Sequence, residues 1–173
     1  MRRLVLVLAA CSNAADPKTD APAGQHGDAA HGDAALRDAP AGEPLRIVVI
    51  NEVAAGESPD WFEVVNATTA PIQLSDFVFV DAKDDFAKAV PFPAQMLGPG
   101  AFATQDVDGT VVPFKLASDE ELWVYRASDH VLSDGVDWAD GQSPTGGSYA
   151  RVPDTFAPFV TSTHPTKGTP NSL

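Results

Sequence analysis

From position 46 onward, apolar residues come in short clusters separated by turn-forming residues. Ile47-Val48-Val49-Ile50 places β-branched side chains on both faces of a pleat, which predicts a strand buried on both sides. Trp61-Phe62-Glu63-Val64-Val65 follows the turn signal Ser58-Pro59-Asp60, and Phe77-Val78-Phe79-Val80 follows Leu74-Ser75-Asp76. Phe102-Ala103-Thr104 comes after Gly98-Pro99-Gly100, and Leu122-Trp123-Val124-Tyr125 forms a further cluster. Val131-Leu132 and Val136-Asp137-Trp138 flank Ser133-Asp134-Gly135, which reads as a hairpin turn. Asn51 and Asn66 are expected to end strands, because Asn bonds nearby backbone and tolerates left-handed angles. No segment keeps helical apolar spacing over three turns, and Asp81 to Ala89 is the best place for a short helix or an irregular excursion. Short strands at intervals of about ten residues predict one all-β sandwich or barrel over 46–173.

The chain before that domain has a different composition. Residues 12–45 hold ten Ala, four Gly, four Pro and six acidic against two basic residues, with Leu36 and Leu45 as the only large aliphatics. Such a segment cannot bury enough apolar surface to offset chain entropy, so a disordered N-terminal tether is expected over 11–45. A coil of this length reaches roughly 30 Å. His26-Gly27-Asp28-Ala29-Ala30 recurs directly as His31-Gly32-Asp33-Ala34-Ala35, and two copies are too few for a solenoid. A His/Asp metal site there is the lesser reading, since ordering a floppy segment around an ion costs entropy.

Residues 1–10 open with Arg2 and Arg3 and continue as an unbroken apolar run from Leu4 to Ala10. A run of 7 residues is far short of the ~20 needed to span a bilayer, and the pattern is that of an export signal. Leu8-Ala9-Ala10-Cys11 resembles the lipobox of bacterial lipoproteins, although the preceding segment is shorter than the ~15–30 residues of an ordinary signal. The resemblance implies cleavage before Cys11 and lipid attachment to it, with palmitate among the acyl chains. Ser12 carries no Asp-type mark for inner-membrane retention, so the resemblance favours the outer membrane of a bacterial envelope.

The domain also carries a resemblance. Ile50-Asn51-Glu52-Val53 followed by Asp60-Trp61-Phe62-Glu63-Val64-Val65-Asn66 looks like the opening of a lamin-tail domain of the bacterial type. Ile72-Gln73-Leu74-Ser75-Asp76-Phe77 resembles the family's next step, with Asp76 where Gly is usual. Phe92-Pro93 with Leu97-Gly98-Pro99-Gly100 is similar to its long strand and Pro-Gly turn. Phe114-Lys115-Leu116, Glu121 to Tyr125, Gly147 to Asp154 and the closing Lys167-Gly168-Thr169-Pro170-Asn171 follow in order. The resemblance covers essentially all of 46–171 and implies an immunoglobulin-like β-sandwich.

Charge narrows the functional classes. With 24 acidic and 11 basic residues, the formal charge of −13 repels a phosphate backbone, so nucleic acid is not an expected partner. One cysteine excludes an internal disulfide and a Cys-only zinc site. No nucleophile elbow, His-Glu-x-x-His, phosphate loop or dinucleotide fingerprint occurs, and His130 and His164 both fall in expected loops. Gln142 to Ser148 is Gly-rich without a lysine and reads as a loop.

Two Asp clusters offer hard oxygen ligands for Ca²⁺, namely Asp81, Asp84 and Asp85, and Asp106 with Asp108 beside Gly109. Asp-rich turns that cap the backbone and keep edges soluble are the plainer reading of both. Glu52 and Glu63 sit among apolar residues, and Arg151 is the expected ion-pair partner of one of them, with a carboxylate site for a cation as the alternative. Trp61, Trp123 and Trp138 each offer a large area to bury and one N–H to satisfy.

The expectation is a non-enzymatic binding or scaffolding module with no cofactor, tethered by lipid and facing an envelope or extracellular protein or glycan. The loops Ala54 to Pro59, Asp81 to Phe86 and Ala139 to Gly147 are its candidate surfaces. A Ca-binding adhesion-type module and a metal-dependent envelope hydrolase are the alternatives.

Overall fold

The computed structural model describes residues 42–173. Cys11, where lipidation is expected, the expected signal and the expected tether up to residue 41 lie outside the described residues.

Eleven strands make up the fold: β1 (Val48–Ala54), β2 (Asp60–Asn66), β3 (Ile72–Gln73), β4 (Phe77–Val80), β5 (Val90–Pro91), β6 (Met96–Leu97), β7 (Phe102–Val107), β8 (Glu120–Arg126), β9 (Leu132–Trp138), β10 (Ser148–Arg151) and β11 (Phe159–Ser162). They form a five-stranded antiparallel sheet in the order β11-β10-β1-β2-β7, a four-stranded sheet in the order β5-β4-β8-β9, and a small β3–β6 pair. The two larger sheets pack face to face as an all-β sandwich, as the clustering of apolar residues predicts. Among the described residues two single-turn 3-10 segments interrupt the β structure, Leu74–Asp76 and Phe86–Lys88. The second falls inside the excursion expected over 81–89. No long strand forms around Phe92-Pro93, where the chain crosses instead from β5 to the β3–β6 pair.

The core follows from alternation. Phe62 and Val64 of β2 and Val48, Ile50 and Val53 of β1 face Phe77 and Phe79 of β4, Leu122 and Val124 of β8, and Val136 and Trp138 of β9. Phe79 stands at its centre, with ring centroids 5.0 Å from Phe62, 4.8 Å from Phe92 and 6.0 Å from Phe114. Core positions in β1 run 48, 50 and then 53, so the parity of the strand changes. The β1–β2 register shifts between Ile50 and Glu52, where an irregularity of the β-bulge kind inserts an extra residue. Asn51 therefore lies inside a strand rather than at its end, a correction to the sequence reading. The same irregularity turns Asn51 and Glu52 together toward the outer face of the five-stranded sheet.

Ser133-Asp134-Gly135 is not a turn either. All three residues lie within β9, and the β8–β9 connection is made four residues earlier, closed by His130 N donating to Arg126 O and Arg126 N to Val131 O at 2.9 Å each. The Arg126 guanidinium clamps this turn on the Asp129 carboxylate, which holds that carboxyl below its usual range. Gly135 has a different use. The Trp123 ring lies across it from β8, and a Cβ at 135 would come within 2.1 Å of the ring. Gly135→Ala is expected to displace the indole and cost about 1–3 kcal/mol, measured by urea unfolding. A midpoint equal to that of the parent would contradict this account of the glycine.

Candidate functional site

Three groups of polar residues hold the sandwich, and each bears on what the domain can present. The first joins the two sheets. Asp134 points from β9 into the interior, almost wholly buried, where its Oδ2 accepts from Ile50 N at 3.0 Å and from Arg151 Nη2 at 3.2 Å. Its Oδ1 accepts from Arg46. Ser133 Oγ accepts from Val48 N and donates to Val48 O. These side chains satisfy the stretch of β1 that β10 does not reach. Burial pushes the Asp134 carboxyl upward against the opposing pull of Arg151 and Arg46. Arg151 also donates to Ile50 O and Ala157 O. Its ion-pair partner is thus Asp134, not Glu52 or Glu63, because its side chain reaches toward β9 while both glutamates occupy the outer face.

The second group lies on that outer face. Glu52 and Glu63 are direct cross-strand neighbours in the β1–β2 register and both are fully buried. Like charges placed so repel one another, and burial sharpens the conflict. The C-terminal segment supplies hydrogen-bond donors to both carboxylates. Thr166 donates from N and Oγ1 to Glu52 at 3.1 and 2.9 Å, Ser148 Oγ donates to the same carboxylate, and Gly168 N donates to Glu63 Oε2 at 2.6 Å. Asn51 Nδ2 donates to Glu63 Oε1 at 3.1 Å and to Asp154 Oδ1 at 2.9 Å. Asn171 closes the end, donating from N to Asp154 Oδ1 and from Nδ2 to the carbonyls of Asn51 and Arg151. Burial, with Glu52 and Asp154 nearby, pushes the Glu63 carboxyl up to about 7. Every oxygen of the two glutamates has a protein donor, so a cation would have to displace the C-terminal segment to reach them.

The third group is the loop end of the sandwich. The loops 54–59 and 139–147, two of the three expected surfaces, lock together there. Ser143 Oγ accepts from Ala55 N and donates to Val53 O, and Gly56 approaches so closely that a Cβ would sit 2.7 Å from the backbone of Thr145. Beside them lies an open recess of about 400 Å³ lined by Glu57, Ser58, Pro59, Asp60, Asp106, Val107, Asp108 and Lys115. Four carboxylates thus face one lysine in its lining. Partial burial raises the Asp60 carboxyl. Asp106 pairs with Lys167, and Asp108 caps its own turn by accepting from Thr110 and Val111, bonds that hold its carboxyl below the usual range.

The third expected surface folds back over the outer face of the four-stranded sheet. Lys83 N donates to Glu121 Oε1, the Lys83 ammonium lies over the Trp123 ring, and Asp84 N and Oδ1 both bond the Tyr125 hydroxyl. Burial raises that hydroxyl to about 12. Asp85 pairs with Lys88. Asp81 stands near Glu120, whose carboxyl is raised by burial and then by Asp81. Among the described residues no three His, Cys, Asp or Glu side chains converge as metal ligands would. Asp84, Asp85, Asp106 and Asp108 are engaged in local hydrogen bonds and ion pairs, whereas Asp81 Oδ1 is buried without a partner.

Asn66 does end its strand. It bonds Ala70 O, Leu97 O and the Thr68 turn. Trp138 donates its indole N–H to Ala117 O, whereas the Trp123 indole nitrogen is buried without a partner. Ser133, Asp134, Ser148, Asp154, Thr166 and Asn171 were missed as sequence candidates. Only Asp134 had a local signal, since it falls in phase with Leu132, Val136 and Trp138.

Comparison with protein-family models, with curated proteins and with solved structures finds no match for this chain.

Proposed function

We propose that this protein is a bacterial envelope lipoprotein, anchored through Cys11, that presents its β-sandwich as a non-enzymatic binding or scaffolding module. The observation that carries the binding part is the loop end, where two loops are fixed against each other beside an acidic, open recess. A rigid, pre-formed surface loses little conformational entropy when it is engaged. Its charge suits a partner with a basic or hydrogen-bond-donating face, an envelope or extracellular protein or a glycan. The resemblance to lamin-tail domains supports the sandwich reading, and fold alone does not assign a ligand. The lipobox-like Leu8-Ala9-Ala10-Cys11 supports the anchor.

Two measurements test the proposal. In cell fractionation, Cys11→Ser is expected to move the protein from the membrane to the soluble fraction, and retention in the membrane would overturn the anchor. In intact cells, a photo-crosslinker at Glu57 is expected to capture a discrete partner. The same group at Met96, which is exposed beside the opposite end of β2, is expected to capture none. Equal capture at both positions, or none at Glu57, would overturn the recognition surface.

A further inference from the structure

At the surface over Trp123 the indole nitrogen and Asp81 Oδ1 lack partners, but both side chains are themselves part-exposed, and the exposed apolar residues Met96, Val111, Phe156 and Leu173 are scattered. The C-terminal segment offers more. Residues 166–171 form a short strap across β1 and β2, turned on itself by Thr169, whose N and Oγ1 both donate to Thr166 O. Its grip runs through the buried carboxylates of Glu52 and Glu63, the part-buried carboxylate of Asp154 and the carbonyls of Asn51 and Arg151.

The positive charges near these carboxylates are engaged elsewhere. Lys167 of the strap reaches outward to Asp106 of β7 and over the Trp61 ring, and Arg151 of β10 faces Asp134 and Phe159. From β7, Thr104 stands opposite Glu63 and brings no charge. We propose that the strap is a proton-linked latch, closed over the Glu52–Glu63 pair while Glu63 is neutral and loosened when Glu63 is charged.

The direction follows from linkage. With the strap closed, burial favours the neutral Glu63 carboxyl; with the strap open, water reaches it and its proton is held more weakly. The closed state therefore binds more protons, and closure weakens as pH rises. The window runs from the ordinary glutamate value of 4.5 up to about 7, and above it the loss is complete. The strap's N–H donors favour the charged carboxylate and oppose this trend, but burial is the larger influence.

Amide hydrogen exchange in the full chain tests the latch. Corrected for intrinsic exchange, protection of the Thr166 and Gly168 amides is expected to fall about tenfold or more between pH 5 and pH 8. Protection of the Val124 amide in β8 is expected to stay constant. Glu63→Gln, which cannot ionise, is expected to remove the pH dependence at the strap. Strap protection that ignores pH, or that changes in step with Val124, would overturn the latch, and so would a pH dependence that survives in Glu63→Gln. Should that variant fail to fold, titration of the Glu63 carboxyl carbon by NMR in the parent decides the matter. A midpoint near 7 that coincides with strap loosening upholds the proposal, and one near 4.5 refutes it.

Discussion

Replacing Asp134 by alanine is expected to destabilise the domain by about 3–5 kcal/mol, because it leaves a buried guanidinium without its counter-charge. Arg151 has a side chain only 10% exposed and cannot turn to water while it also holds Ile50 O and Ala157 O. The Ile50 N–H loses its acceptor at the same time, a further buried unsatisfied group. Arg46 contributes much less, since its side chain is 42% exposed and regains hydration when freed. Urea unfolding measures the loss. Arg151→Met added to Asp134→Ala is expected to recover part of it, because the stranded charge is then gone. A loss below about 1 kcal/mol, or a double variant weaker by the sum of the two single changes, would show that Asp134 does not tie the sheets as described.

Phe79→Ala is the second large effect, again about 3–5 kcal/mol. Phe79 is fully buried and its ring contacts those of Phe62, Phe92 and Phe114, which come from β2 and from two loops. Removing it opens a void that these neighbours cannot close without moving their own backbones, since they are anchored on different elements. In a domain of this size the midpoint of thermal unfolding is expected to drop by on the order of 10 °C or more. Phe79→Leu keeps most of the volume and is expected to cost clearly less. Equal losses for the two variants would mean that the site relaxes around the cavity.

Much of the sandwich was legible in the sequence. The clusters at Trp61–Val65, Phe77–Val80 and Leu122–Tyr125 lie in strands, as does Val48–Ile50 with Ile47 just ahead of β1, and the 81–89 excursion is irregular as expected. Alternation and turn chemistry act over a few residues, and a chain that obeys them announces its strands. The same locality explains the errors. Ser133-Asp134-Gly135 has the composition of a turn, but partners in β1, on the other sheet, satisfy Ser133 and Asp134 within a strand.

The amino-acid sequence by itself determined the all-β class, the positions of most strands and a strongly acidic surface. It also held a lipobox-like segment ahead of the domain. Only the tertiary structure decided that Asn51 sits in an irregularity that reverses the parity of β1, that Arg151 answers Asp134, and that Glu52 and Glu63 share one buried patch under the C-terminal strap. Asp134 reaches Ile50 across 84 positions and Gly168 reaches Glu63 across 105. Pairings at such separations depend on which face each strand turns inward and which sheet it joins. Those choices are settled by packing the whole chain at once, and no local pattern encodes them.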